Sequence, residues 1–394
     1  SGNEAPPLSE YAPPAHTRTA APPAVTAPIP ASITPPAHVV GCARAPGAVT
    51  TTPPPGAAAV EVVNAAIPVS AFYETPPPEQ RLVRFCFAKS DAVLVQAAER
   101  LVALAPPPLQ KVFFADSGSA AVEVALKMSL QFWQQSGQPQ RTRFISLHNG
   151  YHGETLGSLS VTDLALFQQQ YRPLLVEHLR APSPDLSLRP GGMSEDDWVD
   201  DCLQRLEALL SDHDAQVCAL IVEPLVQGAA GMRMYPARYL EGLARLRDQS
   251  GIHLIFDEIA VGFGRTGRMF ALEHAGVCPD FLCLSKGLTG GLLPMSCVLT
   301  TDAVYAAFYD VRVERGFLHS HSFTGNPLAA ATALASLALF ETEQTLARIA
   351  ALSGHLHAAL SRHQGHPLLA NLRQTGLIGA FTVRQPGADF RLRF

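Results

Sequence analysis

The fold is decided by Leu254-Ile-Phe-Asp-Glu258, in which apolar residues run directly into two carboxylates. A second stretch of the same kind, Phe281-Leu-Cys-Leu-Ser-Lys286, ends in a lysine. Short apolar runs without alternation are typical of strands that are buried on both faces of a parallel sheet. Because such strands end at one edge, where α/β proteins bind ligands, the two stretches predict a site that holds both charges.

Strands and helices alternate on both sides of these stretches. A helix is predicted over residues 91–104, with Ser90 or Asp91 near its cap. The other predicted elements are strands at 60–63, 82–87, 112–115, 143–147, 217–222, 253–256, 281–284 and 376–383, and helices at 117–135, 198–210, 237–249 and within 326–362. This alternation predicts an α/β protein with a largely parallel sheet.

The composition divides the chain into segments. Of the 33 prolines, 21 lie before residue 110. Residues 1–58, mostly Ala, Pro, Thr and Val, are expected to form a disordered tail, because proline lacks a hydrogen-bond donor and restricts its neighbours. We further expect a short α+β segment at 59–111, a large ligand-binding domain at 112–330 and a truncated C-terminal small domain at 331–394.

Charge and cysteine content exclude several classes of function. The net charge is −5 and no long basic run is present, so a nucleic-acid partner is not expected. The seven cysteines are odd in number and include no Cys-x-x-Cys pair, which argues against a disulfide framework or a structural zinc site. With no signal peptide and no run of about 20 apolar residues, we expect a soluble cytoplasmic protein.

Two ionisable residues at strand ends suit a pyridoxal phosphate (PLP) cofactor. Asp257 would pair with a pyridinium nitrogen and keep the ring protonated, although this stretch taken alone somewhat favours a helix cap or a structural ion pair. Lys286, among small residues, would have a lowered pKa in a dry site and form a Schiff base. The alternative for Lys286 is a lysine at a sheet edge that extends its ammonium group to water.

Two loops supply further candidates. The turn Ser117-Gly118-Ser119 opens a helix, whose free N–H groups and positive dipole end suit a phosphate, although an ordinary serine cap has the same sequence. In the loop His148–Glu154, Tyr151 could stack on a flat cofactor. His148 and His152 have the i,i+4 spacing of metal ligands, but the glycines between and after them make a regular helix there unlikely to form, so no metal is expected.

The region 112–340 resembles the class III PLP-dependent aminotransferases. The resemblance is carried by the stretch from Leu254 to Gly267 followed by Pro279–Gly291, which is close to the signature of that family. It implies the type I fold of PLP-dependent transferases. That fold has a PLP-binding large domain with a mostly parallel seven-stranded sheet, here with an incomplete small α+β domain.

The resemblance also implies roles for the cofactor site. Lys286 would bond to the cofactor and shuttle the substrate proton, and Asp257 would pair with the pyridine nitrogen. Gly118 and Ser119 would hold the phosphate, and Tyr151 would cover the ring.

Further roles are implied at the rim of the site. Ser322 would reach the phosphate of a partner subunit, so a homodimer with shared active sites is expected. Arg265, together with Tyr151 and Lys286, would bind substrate, and its guanidinium fork suits a carboxylate. Glu223 lies at another strand end near the cofactor. Within the family, the stretches Ala115–Met128, Asn149–Thr155 and His321–Pro327 most resemble one branch, which usually carries aspartate at the position of Glu154.

That branch acts in biotin biosynthesis, with S-adenosylmethionine as amino donor and 8-amino-7-oxononanoate as acceptor. A class III enzyme for another ω-amine, such as 4-aminobutyrate or ornithine, and a non-catalytic cofactor-binding fragment remain alternatives. Residues 60–100 instead look like the C-terminal end of a class I methionine-type aminotransferase, in which the position of Arg84 binds a carboxylate. Near the C-terminus, Arg391 and Arg393 do not match the substrate-side arginine of class III.

Overall fold

A computed structural model describes residues 91–384 and a short antiparallel pair, β1 (Ile67–Pro68) with β2 (Val83–Arg84). The strand predicted at 82–87 is therefore present at two of its residues. The predicted tail at 1–58, the strand at 60–63 and the arginines at 391 and 393 lie outside the described residues.

A seven-stranded sheet forms the centre of the described region. The strands in chain order are β3 (Leu109–Ala115), β4 (Arg143–Leu147), β5 (Leu179–Ala181), β6 (Val217–Val222), β7 (Val226–Gln227), β8 (Arg233–Met234), β9 (His253–Asp257), β10 (Phe281–Leu284), β11 (Ser296–Thr301), β12 (Leu369–Thr375) and β13 (Ile378–Val383). The order across the large sheet is β3-β11-β10-β9-β6-β4-β5, while β7 pairs with β8 and β12 with β13. Only β11 runs against its neighbours in the large sheet. The predicted mostly parallel seven-stranded α/β fold is thus confirmed.

Helices cover both faces of the sheet. They are α1 (Asp91–Leu104), α2 (Gly118–Gln135), α3 (Leu156–Val161), α4 (Ala165–Gln168), α5 (Glu195–Asp212), α6 (Ala237–Ser250), α7 (Asp302–Ala306), α8 (Pro327–Thr342) and α9 (Thr345–Ser361). Apolar residues of α1, α5, α6 and α8 pack on one face, and those of α2 and α7 pack on the other. None of the helices in this described region is long and apolar enough to cross a membrane.

Among the strands of three or more residues in the described region, three were not predicted. β5 is only three residues long and has Arg180 at its centre, so it carries little apolar signal. β11 and β12 both contain or end in polar residues and pair antiparallel with a neighbour. Such strands lack the long apolar runs by which buried parallel strands are predicted. The elements that match best are those with fully buried apolar runs, such as β6.

One buried residue at the far edge of the sheet makes stability depend on pH. His253 begins β9, its Nδ1 lies 3.0 Å from Ser129 Oγ, and burial lowers the pKa of His253 from 6.5 to about 3. The unfolded chain therefore binds a proton below pH 6.5 that the folded chain does not bind until about pH 3. The stability that this neutral side chain contributes is fully present above pH 6.5 and is lost as the pH falls.

We expect this group to lower the free energy of unfolding by about 2 kcal/mol between pH 7 and pH 5. His253→Gln keeps a polar partner for Ser129 but does not titrate. Between pH 7 and pH 5 its free energy of unfolding should therefore fall by about 2 kcal/mol less than that of the wild type. Urea unfolding of both proteins at the two pH values measures the difference. Equal losses in the two proteins would contradict a neutral buried His253.

Candidate active site

The predicted site residues follow the carboxyl ends of neighbouring strands. Asp257 is the last residue of β9 and lies opposite Cys283 of β10, three residues before Lys286. Glu223 follows β6, the loop from His148 follows β4, and α2 begins just after β3. Because these strands are parallel, the five segments meet at one edge of the sheet.

Asp257 is buried and held in place by hydrogen bonds. Only 4% of its surface is exposed, its Oδ2 lies 2.8 Å from His152 Nδ1, and its Oδ1 accepts the N–H of Ile259 at 3.2 Å. A carboxylate oxygen accepts hydrogen bonds, so in this pair Nδ1–H of His152 is the donor to Asp257. His152 Nε2 is buried and has no hydrogen-bond partner in the described part of the chain. From the sequence, His152 was considered only as a possible metal ligand, and its hydrogen bond to Asp257 was not predicted.

Lys286 lies at the start of a short 3₁₀ helix, Lys286–Thr289, directly after β10. Its backbone is left-handed, with φ of +43°, and its side chain is exposed. Within the described residues, its Nζ has no hydrogen-bond or ion-pair partner. The ammonium group is therefore available to a ligand. A positive φ at a non-glycine residue is a strained conformation of the kind that is found at functional sites.

Glu223 is a second buried carboxyl group beside Asp257. Burial and the charge of Asp257 raise the pKa of Glu223 to about 8, against the opposing effects of two N–H donors and Lys286. Those donors are the backbone N–H groups of Tyr151 and Gly228, each at 2.9 Å. Glu223 thus joins the loop after β4 to the loop after β6.

The start of α2 provides a close approach to the end of β9. Ser117 caps the helix by accepting the N–H of Ala120, and a Cβ at Gly118 would lie 2.9 Å from Ile259 Cγ2. Glycine at 118 therefore keeps the helix close to the segment after Asp257 and leaves the first N–H groups of an 18-residue helix at the site. Ser119 Oγ accepts the N–H of Glu154 at 2.9 Å, which joins α2 to the tyrosine loop.

The hydroxyl group and the ring of Tyr151 each contact another side chain. Its hydroxyl donates to Glu154 Oε1 at 2.8 Å, and its ring lies 5.3 Å from the ring of Phe167 between centroids. Burial, followed by the bond to Glu154, raises the pKa of Tyr151 to about 12, so the phenol stays protonated.

Glu123 of α2 is a residue that the sequence interpretation missed. Its Oε1 accepts hydrogen bonds from Thr155 Oγ1 at 2.6 Å, from Gly157 N at 2.7 Å and from Ser158 N at 3.1 Å. It therefore ties the start of α3, which follows the tyrosine loop, to α2. The signal that was available is a single carboxylate in a helix rich in alanine and valine.

Two predicted residues stand apart from this cluster. Arg265 and Ser322 are exposed, and in the described part of the chain neither side chain has a hydrogen-bond partner. The structure brings Lys286, Asp257, Tyr151, Gly118 and Ser119 to one edge of the sheet, whereas Arg265 and Ser322 make no side-chain hydrogen bond or ion pair with them in the described region. No group of metal-ligating side chains is found among the described residues.

The donors and acceptors fit PLP. A free helix start suits the phosphate, the carboxylate of Asp257 hydrogen-bonded to His152 suits a protonated pyridine nitrogen, and Lys286 offers an Nζ without a hydrogen-bond partner in the described region. An aromatic ring at Tyr151 and the small residue at Gly118 suit a flat ring near the backbone.

Comparison with known proteins shows the family of this chain. The family model of aminotransferase class III matches residues 78–392. This chain belongs to the class III aminotransferase family. Class III aminotransferases are PLP-dependent enzymes, so the predicted family and cofactor are confirmed.

Two relatives of similar sequence share one name. The adenosylmethionine-8-amino-7-oxononanoate aminotransferase of Geobacter sulfurreducens is 44% identical over 288 residues, which are 73% of this chain and 64% of the relative. The protein of that name from Helicobacter pylori is 46% identical over 281 residues, 70% of this chain and 62% of the relative. This chain therefore spans less than two thirds of these relatives.

Solved structures with the same fold include an adenosylmethionine-8-amino-7-oxononanoate aminotransferase and ω-transaminases. The adenosylmethionine-8-amino-7-oxononanoate aminotransferase of Methanocaldococcus jannaschii has a TM-score of 0.70 and 34% identity, covering 76% of this chain and 67% of that one. The ω-transaminase of Pseudomonas jessenii in complex with PMP has a TM-score of 0.72 and 32% identity, with the same coverage of both chains.

Proposed function

We propose that this chain transfers an amino group from S-adenosylmethionine to 8-amino-7-oxononanoate, a step of biotin biosynthesis. The observation that carries the proposal is the buried Asp257, 2.8 Å from His152, at the strand end next to Lys286. The substrate pair is supported by the names of relatives that are 36–46% identical to this chain. Because the chain spans only part of those relatives, the whole reaction is a proposal for this protein.

In this proposal, each residue has a separate task. Bound PLP supplies an acceptor for the electrons that the substrate carbon releases. Lys286 binds the cofactor through its amine and then carries the proton between the substrate carbon and the cofactor. Asp257, oriented by the N–H of His152, holds the proton on the ring nitrogen. Tyr151 covers the ring and excludes water from one of its faces.

The remaining predicted residues bind and orient. The N–H groups at Gly118 and Ser119 hold the phosphate, and the guanidinium of Arg265 meets the substrate carboxylate. Ser322 reaches the phosphate held by a partner subunit.

We also propose a cytoplasmic homodimer. Large apolar side chains near Lys286 and Ser322 are exposed, namely Leu292 (79%), Phe323 (66%) and Leu328 (71%), and contact with a second copy would cover them. Cytoplasmic location is supported by the five cysteines of the described region, which are free thiols.

A transaminase for another ω-amine is the second candidate, favoured by the structural similarity to ω-transaminases. A spectroscopic half-reaction separates the two. We expect the purified chain, loaded with PLP, to lose its visible absorbance when S-adenosylmethionine is added and to regain it with 8-amino-7-oxononanoate. The gain and loss report each transfer without an assay of turnover.

The same measurement with 4-aminobutyrate and with ornithine serves as the control. Bleaching by either amine, with none by S-adenosylmethionine, would replace the biotin-pathway proposal by the second candidate. Stable absorbance with all three would support a fragment that binds the cofactor without transferring amines.

A further inference from the structure

The turn between β12 and β13 lies against the segment that carries Arg265. The N–H of Leu377 donates to Arg265 O at 3.0 Å. Gly376, at the centre of the turn, has φ of +57°, and a Cβ there would overlap the carbonyl carbon of Thr266 and lie 2.5 Å from Gly267 N. Only glycine allows the two backbones to approach this closely.

Other contacts hold the same segment from different sides. His274 Nε2 lies 3.1 Å from Thr266 O, and Gly264 N donates to Met269 O at 3.1 Å. A Cβ at Gly264 would lie 2.5 Å from Cδ1 of Ile349, a residue of α9. The backbone of Arg265 is therefore fixed while its side chain remains exposed.

The turn is itself held rigidly. Gly376 O accepts hydrogen bonds from Ser353 Oγ and from Gln374 Nε2, each at 2.9 Å. On the same strand pair, Arg373 Nε donates to Met232 O at 2.7 Å, in the loop between β7 and β8. A turn with these contacts can transmit its own position to the segment that it touches.

We propose that the β12–β13 turn is a positioning element for Arg265 and so sets the affinity of the site for the substrate carboxylate. The inference rests on the proposed function, in which the guanidinium of Arg265 meets that carboxylate. A guanidinium and a carboxylate pair through two parallel hydrogen bonds, which require a defined orientation. A displacement of the backbone at residue 265 would misalign these two hydrogen bonds, so its position matters for binding of the carboxylate.

Two glycine substitutions provide a matched test. Gly376→Ala introduces a Cβ that must push the turn away from Thr266. Gly365→Ala is the control, because Gly365 also has positive φ, +79°, but a Cβ there meets nothing within 4 Å. Both variants carry the backbone strain, and only the first one displaces the segment of Arg265.

Binding is measured by calorimetry on the PLP-loaded protein with nonanoate, an unreactive monocarboxylate of the same chain length as the acceptor. We expect Gly376→Ala to bind nonanoate about 10-fold more weakly and to raise KM for 8-amino-7-oxononanoate by a similar factor, with kcat within about twofold. Gly365→Ala should match the wild type, and Arg265→Ala should define the full loss. Adding Gly376→Ala to Arg265→Ala should change the affinity little further.

The outcomes separate this inference from the function on which it rests. If Gly376→Ala binds nonanoate as the wild type does while Arg265→Ala does not, the turn has no positioning role and the proposed function stands. If Arg265→Ala binds as tightly as the wild type, the assignment of Arg265 fails and the inference fails with it. Should Gly376→Ala not fold, Ser353→Ala removes one hydrogen bond to the turn, and an unchanged nonanoate affinity there would overturn the inference.

Discussion

Lys286→Ala should lower kcat for amino transfer by about four orders of magnitude, the largest effect expected from any single change in this chain. In the proposed function Lys286 both bonds to the cofactor and carries the proton, and in the described part of the chain no neighbouring group forms a hydrogen bond or ion pair with its Nζ. The visible absorbance of the lysine-bound cofactor should also be lost. Single-turnover kinetics with S-adenosylmethionine and an absorbance spectrum measure the two effects.

A chemical measurement checks the same residue without turnover. Borohydride treatment of the PLP-loaded protein should fix the cofactor on the peptide that contains Lys286, as found by mass spectrometry. The peptide that contains Lys127 provides the comparison, because Lys127 Nζ instead lies 3.0 Å from His319 Nδ1. Lys286→Arg keeps the charge but should carry no label. A cofactor label on any other lysine would refute the central assignment.

Asp257→Asn is expected to give the second largest effect. The amide can still accept the N–H of His152, so the geometry is kept while the negative charge is removed. A charge-assisted hydrogen bond is worth about 1.5–3 kcal/mol, so PLP affinity should fall by about 10- to 150-fold. The amino-transfer rate should fall further, because a ring nitrogen that is not protonated accepts electrons poorly.

Glu258→Gln is the matched control for this change. Glu258 is the next residue and is equally buried, but it accepts the N–H groups of Ala271 and Leu272 at 2.6 and 2.7 Å. Burial raises the pKa of Glu258 to about 8, so glutamine resembles its protonated form. We expect Glu258→Gln to bind PLP within about twofold of the wild type, as measured by equilibrium titration of absorbance. Equal losses in the two variants would mean that the charge of Asp257 has no special role.

How far the sequence predicts this site depends on the kind of residue. Asp257 and Lys286 could be found because each ends a buried apolar run, so the pattern itself fixed their place at the sheet edge. The structure then added His152 and Glu123, whose partners come from distant parts of the chain. His152 meets Asp257 across 105 residues of sequence, and Glu123 meets Thr155 through the approach of α2 to α3. No local pattern encodes such contacts.

The same limit applies to strands. β6 was predicted because all six of its residues are apolar. β11 instead mixes hydroxyl groups with apolar residues, and it pairs with the preceding strand β10 and with β3, which is distant in sequence. Gly376 shows the limit most clearly. Glycine is needed at position 376 only because another backbone segment passes against it, and that segment is more than one hundred residues away in sequence.

The position of β11 in the sheet has a consequence for synthesis on the ribosome. Among the described strands, β3 pairs with β11 and with no other, and β11 pairs on its other side with β10. In the hydrogen-bonded sheet, β3, which leads into Gly118, is joined to β10, which leads into Lys286, only through residues 296–301 of β11. Until the nascent chain includes these residues, β3 and β10 cannot belong to one hydrogen-bonded sheet. We therefore expect stable capture of the cofactor only after β11 has emerged, although every residue expected to contact the ring and phosphate within the same subunit has by then been translated.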